Sequence, residues 1–501
     1  MNNKRITPIE IEKETFKNIG YQLVDRISNF VDTIENSKVT TGETPIQIQE
    51  LLEQSTLPEK GTDVKVLLEN TTDLLLNHSL FNGHPKFLGY ITSSATPIGG
   101  LADLLAATVN ANVGANILSP VATEIEKQTI SWLAEFIGLS SGYGGLLVSG
   151  GNMANFTAFL AARTAKAPKD FKEKGFANDS SKMLIYCADT THTWIEKAAI
   201  LFGHGRESIR WIPSNEDRKM NIALLSETIQ QDLKAGHQPF MVVGTGGDVS
   251  TGAVDDLSEI AEVCKKYNLW FHIDGAYGVP AVVLPEMEML FKGMGEADSI
   301  AIDPHKWLYS PLEAGCTLVK NPKHLIDTYS AHPEYYNFQN DETNPSHNFY
   351  EYGLQNSRGF RALKVWMALK QVGKQGYVKM IREDIALSRL LFDLAEKHSR
   401  LEAVSQNLSI TTLRYISSNI SDMENQELYL NILNEKLLND LQKGGEVFLS
   451  NAIVLEKYCL RACIVNFRTS KKDIEEVVEI IVSAGKRIHD ALQQKKEIIV
   501  E

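Results

Sequence analysis

Five cysteines in a chain of 501 residues are too few and too widely spaced for a disulfide framework or a zinc ribbon, and their number is odd. Cys459 and Cys463 stand four apart, but inside a strand-like apolar run, and are expected as two buried thiols. No apolar run reaches the length of a membrane-spanning helix; the nearest, 99–113, is broken by Asp103, Asn110 and Asn112. The opening stretch, MNNKRITPIEIEKETF, lacks the apolar core of a signal peptide. Basic residues are in the minority: 50 Lys and Arg against 63 Asp and Glu leave a net charge of −13. Phosphate neutralisation needs clustered Lys and Arg, so a nucleic-acid partner is not expected. Repeats and low-complexity tracts are also missing. The expected protein is cytoplasmic and binds neither nucleic acid nor membrane.

What the chain has is material for a core. Hydrophobic residues make up 43 %, enough to exclude disorder as the main state, and the length suggests about three domains or subdomains. Residues 14–35 carry Phe16, Ile19, Leu23, Val24, Ile27, Phe30, Val31 and Ile34 mostly at three- and four-residue steps, which predicts a helix with a wide apolar stripe. Such a stripe needs a surface to cover, on its own chain or on a partner. From about residue 100 strands and helices alternate. Strands are predicted at 145–149, 183–188, 208–212, 240–243, 269–273, 299–302 and 315–319. Helices are predicted at 152–164, from near Thr193, at 221–233 and at 257–267. That alternation predicts right-handed crossovers and a mainly parallel, seven-stranded sheet. After about residue 375 the pattern loosens into a separate α+β unit. It has helices at 375–398, 428–441 and 471–493 and strands at 410–416, 447–455 and 458–467.

In a parallel sheet the chemistry sits where strands end. Four features fall there. Ser149-Gly150-Gly151-Asn152 follows a strand and opens a helix, a place where backbone N–H groups and the helix dipole favour an anion. Asp274 ends Leu269-Trp270-Phe271-His272-Ile273-Asp274; an acid there is costly to bury without a cation, and a protonated heterocyclic nitrogen would serve. Asp303-Pro304-His305-Lys306-Trp307 holds a lysine beside a histidine and a tryptophan, and partial burial makes such an amine nucleophilic. His192, in Asp189-Thr190-Thr191-His192-Thr193, can stack on a flat ring and move a proton. Each feature alone is equally at home as a turn, a cap, a snorkelling lysine or a structural histidine. A metal site built from His192, His272, Asp274 and His305 is the rival reading. His272 and Asp274 share a strand face, but no local pair such as HExxH supports it. Jointly the four features supply what pyridoxal phosphate needs: an amine for the aldehyde, an acid for the pyridine nitrogen, an anion site and a flat cover.

With these residues in view, the chain resembles the group II pyridoxal-phosphate-dependent amino-acid decarboxylases, which include the aromatic L-amino-acid and glutamate decarboxylases. The segments that carry the resemblance are SPVATEIE (119–126), SGGNMAN (149–155), DTTHTWIEKA (189–198), STGAVDDL (250–257), HIDGAYG (272–278), DPHKW (303–307), RGFRALKVW (358–366) and LRACIVNFRT (460–469). HxDxA and DPHKW together are the specific ones.

The resemblance implies a PLP-dependent transferase fold of the aspartate-aminotransferase type, in a homodimer with active sites at the subunit interface. The implied layout is an N-terminal helical segment (1–95) against the partner, a large PLP-binding α/β domain (96–374) and a small α+β domain (375–501). Lys306 matches the lysine that bonds the cofactor, Asp274 the partner of the pyridine nitrogen, His192 the stacking histidine and Ala276 the small residue beneath the ring. Gly151 and Asn152 match phosphate contacts, with His305 beside the lysine. Within the polar segment 330–352, Tyr335 aligns best with the family's loop tyrosine, which protonates the α-carbon, and Tyr336 is the alternative. The implied activity is decarboxylation of an L-amino acid, foremost an aromatic one, to the amine and CO₂. The alternatives are another substrate such as glutamate, or oxidative decarboxylation to an aldehyde. Two positions depart from the family pattern: Asp248, where Ser or Thr is common, and Asn116, near which an aromatic is common.

Overall fold

The structure is a computed structural model and describes residues 7–52, 56–176, 182–331, 346–417 and 425–500, the last segment with side chains to 494. Seven short runs rich in aliphatic and aromatic residues form the central sheet. They are β1 (Gly144–Val148), β2 (Met183–Ala188), β3 (Ile209–Ile212), β4 (Gln238–Thr245), β5 (Trp270–Asp274), β6 (Ser299–Ile302) and β7 (Gly315–Val319). Their order is β1-β7-β6-β5-β4-β2-β3. Strands β2, β5, β6 and β7 are buried almost throughout, because helices cover both faces, and this is why they read as unbroken apolar runs.

The pairs β6–β5, β5–β4, β4–β2 and β2–β3 are parallel, whereas β7 is antiparallel to both β6 and β1. Six strands therefore share one direction and β7 opposes them. The physical reason lies in the connections. Parallel neighbours need a crossover, but no α-helix separates β6 from β7, so the chain turns straight back. That turn contains Lys306. The shared direction puts the C-terminal ends of β1, β2, β4, β5 and β6 along one edge.

Helices Pro97–Val109 and Pro120–Phe136 and the long Ala362–Lys397 close one side of the sheet. Glu126, on the second of these, is fully buried and paired with Arg358. Arg358 also donates to the carbonyls of Val113 (2.9 Å) and Leu147 (2.6 Å), while Glu126 Oε1 accepts the Leu147 N–H at 3.0 Å. This network ties the start of the RGFRALKVW segment to β1. The helix predicted at 375–398 is the second half of Ala362–Lys397, which breaks at Gly373 with φ 65°.

Beyond that break lies a second apolar core, built on an antiparallel sheet. Its strands are β8 (Leu401–Asn407), β9 (Ile410–Tyr415), β10 (Ser450–Val454) and β11 (Lys457–Cys463), in the order β10-β11-β9-β8. Helices Gln426–Gly444 and Lys471–Val500 cover it. The edge strand β8 is absent from the sequence reading: LEAVSQN is only half buried and has no continuous apolar face. The N-terminal helix runs over Lys13–Thr33 and buries only Ile19. All five cysteines are buried and free, Cys459 and Cys463 on β11. No helix among the described residues is long and apolar enough to cross a membrane.

Candidate active site

Loops leaving the C-terminal ends of β1, β2, β4, β5 and β6 enclose a cleft of about 490 Å³. Gly151, Asn152, His192, Asp274, Ala276, His305 and Lys306 all line it. Tyr335 and Tyr336 lie outside the described residues.

The floor is β5. Asp274 ends that strand, with Oδ2 accepting the Trp194 indole N–H at 2.7 Å and Oδ1 the Ala276 N–H at 3.3 Å. Trp194 also gives its backbone N–H to His192 Nδ1, at 3.3 Å. An accepting Nδ1 leaves Nε2 to carry the proton of the neutral ring. Desolvation lowers the His192 pKa, partly offset by the charge of Asp274, and the residue is exposed on the cleft lining.

His272, two residues before Asp274 on the same strand, packs its ring edge-to-face against Trp194, centroids 5.7 Å apart. Its Nδ1 meets Ser299 Oγ at 2.8 Å and its Nε2 meets Asn155 Oδ1 at 2.7 Å. Burial pushes it down to about 4, so it is neutral and fully engaged. No cluster of metal-ligating residues exists among the described residues.

Lys306 rises from the β6–β7 turn. Its Nζ lies 3.0 Å from Asp303 Oδ2 in an ion contact, and His305 Nε2 lies 3.8 Å from the same oxygen. Asp303 is 1 % exposed and accepts no hydrogen bond among the described residues, where Lys306 is its nearest cation. His305 is held by Nδ1, 2.7 Å from the Ala314 carbonyl, and burial lowers its pKa.

Three observations fit pyridoxal phosphate. The helix Gly151–Lys166 opens on Gly150, at φ 96°, without a side-chain cap, leaving its first N–H groups for an anion. At Gly151 a Cβ would come within 2.6 Å of Asp303 Oδ2 and 3.4 Å of Ala276 Cβ, so only glycine leaves this cradle open. The hydroxyls of Thr190 and Thr245, both on the cleft wall, are buried without a partner among the described residues.

Two departures from the family pattern now have positions. Asp248 lines the cleft, but its carboxylate is spent on its own loop. It accepts the N–H groups of Ser250 (2.6 Å), Thr251 (3.0 Å) and Ala253 (3.1 Å) and the Thr251 hydroxyl. Asn116 opens a short 3₁₀ turn outside the cleft lining.

Sequence reasoning assigned no role to Trp194, Asp303 or Arg461. Arg461, on β11, is 3 % exposed and pairs with no carboxylate among the described residues. Its Nη1 donates to Ser450 Oγ at 2.8 Å and its Nη2 to the carbonyl of Tyr90, a cleft residue, at 3.3 Å. The available signal was a charge inside an apolar strand run.

Trp194→Phe is expected to lower kcat about tenfold and cost about 1–3 kcal/mol of stability, because Asp274 loses a buried donor. Steady-state kinetics beside a thermal melt checks both.

A lysine against a buried acid, a strand-end acid and an open helix N-terminus on this doubly covered sheet suit the class of pyridoxal-phosphate enzymes. Comparison with known proteins narrows the class. Residues 45–415 match the pyridoxal-dependent decarboxylase conserved domain, and the chain belongs to that decarboxylase family. An aromatic-L-amino-acid decarboxylase of Bacillus atrophaeus is 32 % identical over 96 % of this chain and 97 % of its own length. A phenylacetaldehyde synthase of Petunia hybrida is 29 % identical over 90 % of each chain. The crystal structure of Oryza sativa TDC with PLP and tryptamine superposes with a TM-score of 0.89 at 25 % identity, covering 97 % of this chain and 100 % of that one.

Proposed function

We propose that the protein decarboxylates an aromatic L-amino acid to its amine and CO₂. The observation that carries the substrate class is the cleft lining. Lys306 is its only Lys or Arg among the described residues, and Tyr90, Ile91, Val249 and Leu312 give its wall apolar surface. A glutamate side chain would find no cation there, whereas a ring finds apolar surface.

Bound pyridoxal phosphate supplies an aldehyde for amines and a ring that accepts the electron pair released with CO₂. Lys306 would hold the aldehyde between turnovers, and Asp274, fixed in place by the Trp194 indole, would keep the ring nitrogen protonated. His192 would cover the ring, and the small Ala276 would leave room for it. Gly151 and Asn152 would give backbone N–H groups to the phosphate, and His305 buttresses the lysine turn.

Tyr335 delivers a proton to the substrate α-carbon. Tyr335→Phe is expected to shift the product from amine towards aldehyde, ammonia and peroxide, with O₂ as oxidant and water supplying the carbonyl oxygen. Amine and aldehyde measured side by side for Tyr335→Phe and Tyr336→Phe check this. A shift only in Tyr336→Phe moves the assignment by one residue. The aldehyde synthase relative favours oxidative decarboxylation as the second reading, which wild-type aldehyde release would establish. A panel of L-amino acids read by mass spectrometry tests the substrate class; turnover of glutamate above the aromatic acids would overturn it.

The proposed assembly is a homodimer. Leu101, Leu104, Leu105, Val109, Ile117, Leu118 and Val121 are each at least half exposed and close together in the chain. Phe16, Tyr21, Val24 and Ile27 on the N-terminal helix are exposed as well, supporting its place, within 1–95, against a partner. The helix break at Gly373 supports a boundary between a large domain at 96–374 and a small one at 375–501. Five free, buried thiols suit the proposed cytoplasmic location.

A further inference from the structure

On the side of the Lys306 turn away from the cleft, a second cavity of about 300 Å³ lies between the two cores. Thr96, Tyr309, Tyr377, Glu383, Asp384 and Phe467 are among its walls. Asp384 belongs to the helix Ala362–Lys397, beyond its break at Gly373, and is 3 % exposed. One of its oxygens, Oδ2, accepts two bonds: the Trp307 indole N–H at 2.8 Å and the Tyr309 hydroxyl. Both donors come from the turn that begins at Lys306.

Trp307 is the residue next to the lysine. Its ring stacks on Tyr277, centroids 5.0 Å apart and planes 13° from parallel, and Tyr277 follows Ala276 of the cleft floor. The Tyr309 N–H bonds the Lys306 carbonyl at 3.2 Å. From the same helix as Asp384, the Tyr377 hydroxyl donates to the Leu308 carbonyl at 3.1 Å. The Lys306 turn is thus gripped from behind by one helix.

The grip is made with an acid that has no cation. Among the described residues, no Lys, Arg or His lines the cavity and Asp384 forms no ion pair. A buried acid without a counter-charge is costly, and an amide or a hydroxyl would accept the same bonds without that cost.

We propose that Asp384 is a positioning residue for Lys306, aiming the lysine at the cleft by drawing Trp307 and Tyr309 onto a single carboxylate oxygen. This rests on the reading of Lys306 as the cofactor lysine. Burial pushes the Asp384 pKa up to about 8, against the lowering effect of its two donors, so the tie changes strength near neutral pH. The groups facing it are Trp307 and Tyr309 from the turn, Tyr377 and Glu383 from its own helix, and Cys463 from β11. Gain of charge as pH rises strengthens both bonds.

The test compares Asp384→Ala and Asp384→Asn with the wild-type holoenzyme. The alanine variant is expected to lose about 10–100-fold in kcat with KM within about twofold, since the lysine is misplaced and the substrate wall is intact. The asparagine variant keeps an acceptor oxygen and is expected to recover most of that loss. In the wild type, tryptophan fluorescence is expected to change in a titration centred near pH 8. The change is expected to vanish in Trp307→Phe and in both Asp384 variants.

Wild-type kcat in the alanine variant, no recovery with asparagine, or a fluorescence titration that persists in the Asp384 variants would each overturn the proposal. Should the alanine variant not fold, the fluorescence of Asp384→Asn decides alone. Borohydride reduction of the wild type followed by peptide mapping tests Lys306 separately. A label elsewhere would remove the Lys306 reading while leaving the fluorescence result standing.

Discussion

Lys306→Ala is expected to abolish turnover of every amino acid while the protein folds and retains weak affinity for pyridoxal phosphate. The lysine sits at the end of β6 with its ammonium 3.0 Å from a buried carboxylate, so replacing it removes both the amine and the counter-charge of Asp303. An uncompensated buried charge costs about 3–5 kcal/mol, so Lys306→Ala is expected to melt below the wild type. The measurements are borohydride reduction with peptide mapping, substrate turnover and a thermal melt. The wild type is expected to carry its label on Lys306 and the variant to carry none. The double variant Asp303→Asn/Lys306→Ala is expected to melt above Lys306→Ala, because the orphaned acid is gone. A retained label in Lys306→Ala would end the assignment.

Asp274→Asn is expected to lower kcat by about 10²–10³-fold, the usual scale for removing a preorganised electrostatic partner from a reaction centre. Asparagine is nearly isosteric, but it has one acceptor where Asp274 uses two oxygens, for the Trp194 indole and the Ala276 N–H. Folding therefore loses one bond, about 1 kcal/mol, which separates a stability effect from a chemical one. A drop in kcat with a nearly unchanged melting temperature is the expected result. If Asp274 were only a cap for the following turn, kcat would stay within about threefold of wild type.

The sheet was legible because its strands are covered on both faces and so read as continuous apolar runs. The reversal of β7 was not, since direction depends on what connects two strands and the β6–β7 turn has no periodicity to read. The edge strand β8 failed for the opposite reason: LEAVSQN is half buried and mostly polar, without an apolar run to mark it. In the site, Gly151, His192, Asp274 and Lys306 could be picked out because residue type and strand-end position coincide. Asp303, Arg461 and Asp384 could not, because what distinguishes them is burial with too few partners, a property of the folded environment. In the sequence, Asp248 was visible only as a departure from the family pattern. Three backbone N–H groups and one hydroxyl of its own loop absorb its carboxylate.

The helix-free return from β6 to β7 bears on how this scaffold tolerates insertions. A crossover helix absorbs added residues at its solvent end, so the outer faces of the sheet are open to lengthening. The Lys306 turn has no such slack. It leaves a strand, β6, that is paired on both sides, and it is gripped from behind by one helix, so one added residue would rotate the lysine off its target. Variation in chain length among descendants of this sequence should concentrate in the outer connections and spare the stretch between Asp303 and Gly315.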